Sequence, residues 1–154
     1  MAQKLIIYHC YGGAHSSVVA AAIHLNKLDA KRIPTTEELL SLSLFDRQTK
    51  DGHGRLNYYG CDEWGNMVFS VGCRSKGPAM ETFLSNAAEL VGLSGRLIFV
   101  DTLHCVTFKM RLGGYISRRL GLIKIGRPLV ASGTRAAFPR LVELVGRIKA
   151  LLQK

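Results

Sequence analysis

Leu5-Ile6-Ile7-Tyr8-His9-Cys10-Tyr11-Gly12-Gly13-Ala14-His15-Ser16-Ser17 is the stretch on which the fold turns. Leu5 to Tyr8 is a β-branched and aromatic run followed by a glycine pair, which reads as a fully buried strand ending in a tight turn. Ser16 or Ser17 is expected to cap a helix through Val18 to Leu28, with Val18, Ala22, Leu25 and Leu28 on one face. A buried strand, a glycine loop and a helix in that order open a parallel α/β unit.

Downstream the same alternation continues. Thr35 and Glu38 have capping-box spacing ahead of Leu39, Leu40, Leu42 and Leu44, so a second helix is expected, ending near Phe45 to Arg47. Thr49 to Gly54 is a polar connection. Leu56 to Gly60 and Met67 to Val71 flank Asp62-Glu63-Trp64-Gly65-Asn66, a hairpin signal. Gly77-Pro78 precedes an amphipathic run from Ala79 to Val91, and Leu97 to Val100 repeats the buried-strand pattern before Asp101. Val106 to Leu120 reads as short helices. Pro128-Leu129-Val130-Ala131 leads into a last helix from about Phe138, packed through Leu141, Val142, Val145, Ile148 and Leu152.

The expected fold is a single α/β domain over 1–154, a three-layer sandwich with a mainly parallel sheet and an inserted β-hairpin. In open α/β sheets ligands bind beyond the carboxyl ends of the strands. The loop at Cys10 and the turns after Val100 and Ala131 are expected on that edge.

Composition supports a globular chain. It has 154 residues, 47% hydrophobic and 21% charged, which argues against wholesale disorder or a fibrous repeat. No apolar run approaches the roughly 20 residues that cross a bilayer, and Met1 to Lys4 lead directly into the first strand, so a cytoplasmic location without membrane partners is expected. Four cysteines at irregular spacings read as free thiols. The net charge is +10, and from Lys109 onward the basic residues face one acid, Glu143. Such a cationic third attracts phosphates or nucleic acid.

Three constellations carry candidate chemistry. Gly12 and Gly13 let backbone amides approach an anion, while Ser16, Ser17 and the helix N-terminus add donors, as in a phosphate cradle. The Gly-Lys-Ser/Thr ending of a Walker A loop is missing, which argues against ordinary P-loop NTP hydrolysis. His9-Cys10, His15 and His104-Cys105 could meet if their strands are neighbours, but no compact ligand motif supports a metal and none is assigned. His24 falls within a helix and His53 in a loop, without evident partners. Lys109 to Leu122, followed by Gly126-Arg127-Pro128, interleaves basic residues and glycines around Tyr115, a pattern able to bind a phosphate backbone, RNA or a nucleotide.

From Leu5 to Ile23 the layout resembles the low-molecular-weight tyrosine phosphatases and their arsenate reductase relatives. That resemblance implies Cys10 as nucleophile, with His9-Cys10, Gly13 and Ser17 on the signature and Ser16 where the phosphate-binding arginine belongs. Another arginine would have to supply the missing fork, Arg111, Arg118 or Arg135, and Asp101 is the candidate general acid. Taken together, His9 to Ser17 and Arg111 to Leu122 with Gly126-Arg127-Pro128 resemble an uncharacterised Firmicutes family, the domain of unknown function numbered 3189. That likeness runs over nearly the whole chain and implies a bacterial protein without an assigned activity.

The functional expectation is a phosphate-bearing small molecule or nucleotide held by His9, Gly12, Gly13, His15, Ser16 and Ser17, with Arg111, Arg118 and Arg135 completing the pocket. The alternatives are a Cys10-dependent phosphatase- or reductase-like enzyme, and an RNA- or protein-binding module using the basic third. No cofactor is identified from these residues.

Overall fold

The structure, a computed structural model, describes residues 2–47 and 52–153; the expected polar connection at Thr49 to Gly54 therefore lies partly outside the described residues. Strand β1 (Leu5–Cys10) is buried at five of its six positions and lies inside a four-stranded sheet. The sheet order is β2 (Asn57–Cys61), β3 (Met67–Gly72), β1, β4 (Leu97–Asp101). β1 runs parallel to both β3 and β4, and only β2 is antiparallel, through the expected hairpin with β3. The fold is α/β with a mostly parallel mixed sheet.

Side chains alternate across this sheet as pleating requires. Ile6, Tyr8, Val68 and Val100 join one core with α1 (Ser16–His24) and with Phe138, Leu141 and Val145 of α5 (Ile123–Leu152). Ile7 and His9 point the other way, where Gly77 and Glu81 of α3 (Gly77–Leu90) meet the His9 ring. All nine residues of α1 are buried, and the small side chains of Ala20 to Ala22 fit it against sheet and α5.

The capping box forms as expected at α2 (Thr36–Ser41): Thr35 Oγ1 accepts from the Glu38 amide at 3.2 Å and Glu38 Oε2 from the Thr35 amide at 2.7 Å. The helix stops earlier than expected, at Ser41, and turns carry the chain on to Arg47. The predicted serine cap on α1 is corrected. Ser16 and Ser17 are its first two residues, His15 occupies the N-cap without a capping bond, and both serine hydroxyls have partners elsewhere.

A larger correction concerns the C-terminal third. No turn follows Ala131; residues Ile123–Leu152 form one 30-residue helix with Pro128 and Pro139 inside it. A helix-interior proline costs roughly 3 kcal/mol through a lost hydrogen bond and ring crowding. Both prolines face solvent, where water can serve the freed carbonyls, while Val130, Ala131, Gly133, Thr134 and Ala137 are buried. Packing against α4 (Phe108–Gly114) and the π-helical turn Tyr115–Arg119 thus outweighs local propensity.

His24 also gains partners that its sequence neighbours do not suggest. Tyr8 Oη lies 2.7 Å from His24 Nδ1, and His24 Nε2 lies 3.1 Å from Asp62 Oδ2. Burial lowers the His24 pKa, while hydrogen bonds from Asn66, His24 and Trp64 outweigh burial and keep Asp62 ionised. The carboxylate can only accept, so Nε2 carries the hydrogen and Nδ1 accepts from Tyr8. This buried chain joins β1, α1 and the hairpin turn.

Among the described residues no helix is long and apolar enough to cross a membrane.

Candidate functional site

The loop between β1 and α1 is shaped by a close approach of two backbones. Gly13 has φ +66°, and a Cβ there would stand 2.5 Å from the Gly72 amide nitrogen. A Cβ on Gly72 would in turn stand 2.6 Å from Gly12 C. Only glycine fits this contact without displacement. The Cys73 and Arg74 amides donate to Cys10 O and Tyr11 O at 3.0 and 2.9 Å, continuing the β1–β3 ladder into the loop. On its other side the Asp46 amide donates to Ala14 O at 3.0 Å.

These clamps fix Cys10. Its Sγ receives the Gly13 N–H at 3.1 Å and lies 3.1 Å from Ser17 Oγ. Ser16 points to β4 instead: Thr102 Oγ1 donates to His9 O at 2.9 Å, so its one hydrogen is used and Ser16 Oγ donates to it at 2.8 Å. The Ser16 hydroxyl is therefore not spare as a donor to a bound anion in this arrangement, and that of Ser17 is engaged with Cys10 Sγ. Backbone amides and the start of α1 would supply that role.

His15 is set by a buried carboxylate. Asp46, fully buried at φ +52°, approaches His15 Nε2 at 3.1 Å, Ser117 Oγ at 2.7 Å, Arg127 Nε at 3.1 Å and Arg118 Nε at 3.4 Å. Burial alone would raise the Asp46 pKa, but the hydrogen bonds from His15, Ser117 and Arg127 prevail and bring it down to about 2. An ionised carboxylate only accepts, so His15 Nε2 carries the hydrogen. The Nδ1 edge of the ring faces Gly114, whose added Cβ would lie 3.5 Å from it.

Beyond the loop lies a pocket of about 400 Å³ walled by Cys10, Gly12, His15 and Ser16 on one side and by Met110 and Arg111 of α4 on the other. Of the residues expected in the site, Gly13 and Ser17 stand behind the wall and hold Cys10, whereas Arg111 comes from over a hundred residues away to face it. The chain belongs to the DUF3189 family of proteins of unknown function. The family model matches residues 5–150, which contain every residue of this pocket. Comparisons with curated proteins and with solved structures returned no match.

In this DUF3189 chain the other expected residues lie apart from the pocket. His9 is buried on the opposite face of the sheet, with Nε2 2.9 Å from Glu81 Oε1, an ion-pair approach without hydrogen-bond alignment, and Nδ1 3.7 Å from Cys73 Sγ. Burial pushes the Cys73 thiol up to about 11. Asp101 is exposed at the end of β4, where its carboxylate accepts the Leu103 amide at 2.8 Å. Arg135 donates to Pro34 O at 3.0 Å from the middle of α5. Arg118 lies beside Asp46 and faces a neighbouring groove. His104 is exposed and Cys105 buried, and among the described residues no group of three or more His, Cys, Asp or Glu side chains is arranged to hold a metal ion.

Sequence reading missed Asp46, Thr102, Gly72 and Met110. Gly72 carried a signal, since a glycine ending a buried strand marks a close backbone approach. Asp46 carried none, being one acid in a turn whose partners lie 31 to 81 positions away.

Proposed function

We propose that the loop from Cys10 to Ser17 holds the phosphoryl group of a phosphate-bearing small molecule or nucleotide, and that Arg111 closes on it from α4. The observation that carries this reading is the shared pocket, in which a glycine loop, a helix N-terminus and a guanidinium meet. Arg111 takes the place of the arginine that Ser16 does not provide. The test is thermal melting with phosphate, vanadate, ATP, GTP and sugar phosphates, since binding to the folded state raises Tm by mass action. A selective rise that is reduced in Arg111→Ala is expected. No rise with any phosphate compound overturns the reading.

A second reading, a Cys10-dependent phosphatase-like enzyme, is favoured by one observation: Cys10 lines the pocket with its sulfur oriented by Gly13 and Ser17. In that chemistry Sγ attacks phosphorus, the P–O bond to the leaving group breaks as S–P forms, and the leaving oxygen takes a proton. Water then attacks phosphorus, releasing phosphate and the thiolate. His15 lines the pocket and its imidazole would move these protons, whereas Asp101 is not among the pocket's lining residues. A Cys10→Ser variant with full turnover of an aryl phosphate would exclude this reading.

A further inference from the structure

The pocket does not end at Arg111. Through Tyr11, Arg111 and Gly114 it is continuous with a groove of about 720 Å³ that Arg74, Tyr115, Arg118 and Arg119 also line. We infer that this groove is a second subsite of the same ligand, which is a nucleoside diphosphate: its terminal phosphate sits in the loop, its inner phosphate among the arginines, and its base on the tyrosines. This rests on the loop being a phosphoryl site.

Four features of the groove support the assignment. Among the described residues that line it, none is acidic, and four are arginines, the side chain whose planar fork suits phosphate oxygens. Asp46 offsets one of them, Arg118, from below the groove wall, at 3.4 Å. Tyr11, at the junction, and Tyr115, in the groove, are 58% and 51% exposed, and open aromatic rings among arginines suit a stacked base better than a sugar phosphate. Arg74 stands at φ +52°, a left-handed conformation uncommon for a side chain of its size, and the Tyr11 carbonyl holds its amide there.

The dimensions choose among phosphate ligands. Orthophosphate needs only the loop end, and a groove several times larger would remain around it. An internal phosphodiester of a polynucleotide has no terminal phosphoryl group to insert against the buried Cys10. A nucleotide with two phosphates is long enough to reach from the loop into the groove, and each chamber by itself has the size of a small-ligand site.

Titration calorimetry with orthophosphate, AMP, ADP and a 5′-phosphorylated RNA hexamer tests this on the wild type, on Arg74→Ala/Arg119→Ala and on Arg119→Gln alone. ADP is expected to bind at least tenfold more tightly than orthophosphate and more tightly than AMP. The double variant is expected to lose that tenfold advantage while its orthophosphate affinity stays within twofold of wild type, and Arg119→Gln to lose part of it. If orthophosphate binds and ADP binds no better, the groove assignment fails and the loop reading stands. Tighter binding of the hexamer than of ADP overturns the free nucleotide. If neither orthophosphate nor ADP binds, the loop reading itself is wrong, and this inference falls with it.

Discussion

Glycines bring backbones together in two regions of this molecule, and they do so differently. In the loop after β1, Gly13 is needed for its left-handed φ as well as for its missing side chain, because the chain must turn sharply over Gly72. Between α4 and α5, Gly113, Gly126 and Gly133 all have helical geometry, and only the missing side chain matters. An added Cβ would lie 2.6 Å from Val130 N at Gly113, 2.4 Å from Ser117 N at Gly126 and 2.6 Å from Met110 N at Gly133. The first set shapes a ligand loop. The second lets a long helix seat the segment that carries Arg111 and Arg118. Glycines amid arginines therefore read like a phosphate loop in sequence while acting as a helix seam in the fold.

The largest break in this comparison is expected at the seam. Gly126→Val forces branched carbon into the Ser117 backbone, and overpacking of this kind costs roughly 3 kcal/mol or more, read as a lowered urea midpoint. In the loop, Gly13→Ala adds one methyl group against Gly72 and strains a positive φ, for about 2 kcal/mol together with loss of the phosphate-dependent rise in Tm. If Gly13→Ala proved the more damaging to stability, the seam would not be the stiffer of the two contacts.

Asp46 joins the two regions, with its amide on the loop and its carboxylate on Ser117, Arg118 and Arg127. Its pKa falls from an ordinary 3.8 to about 2, so the folded state binds this proton more weakly than the unfolded chain does. The resulting stability is fully present above about pH 4 and disappears as pH falls through about 2. At roughly 1.4 kcal/mol per unit, it amounts to about 2 kcal/mol for this buried group. Asp46→Asn should flatten that part of the stability profile. An unchanged acid limb would remove Asp46 as the bridge.

The same contrast explains what could be read from the sequence. β1, the hairpin, β4 and the Thr35 capping box are local patterns of period, turn and cap, and each stands where those patterns place it. The long α5 was hidden because two prolines argue locally for breaks, whereas its stability comes from burial against α4, a property of the pair. Within the site, the loop residues were legible because strand, glycines and helix are contiguous. The choice among Arg111, Arg118 and Arg135 was not, since it depends on which face of α4, of the Tyr115–Arg119 turn and of α5 turns inward. Asp46 is the extreme case, four partners assembled entirely by tertiary folding.

A smaller effect separates the seam's packing from the chemistry it presents. Arg111→Ala removes an exposed side chain from α4 without touching Gly113, so stability should change by less than about 0.5 kcal/mol while affinity for phosphate falls about tenfold, a loss of one charge-assisted contact. Equal affinity in calorimetry would take Arg111 out of the site and leave the seam as packing alone.

The finest distinction lies inside the loop. Gly12 and Gly13 are neighbours, yet a Cβ on Gly12 meets nothing within 4 Å, because that position faces the pocket and not Gly72. Gly12→Ala should therefore leave the unfolding midpoint within about 0.5 kcal/mol of wild type, against the much larger loss at Gly13. Its effect should appear in ligand affinity alone, as the methyl group takes space an anion would occupy. Unfolding and phosphate titration of the same Gly12→Ala sample read the two consequences separately. A stability loss matching that of Gly13→Ala would mean that both glycines serve the turn, whereas unchanged stability with weakened binding assigns Gly13 to the fold and Gly12 to the site.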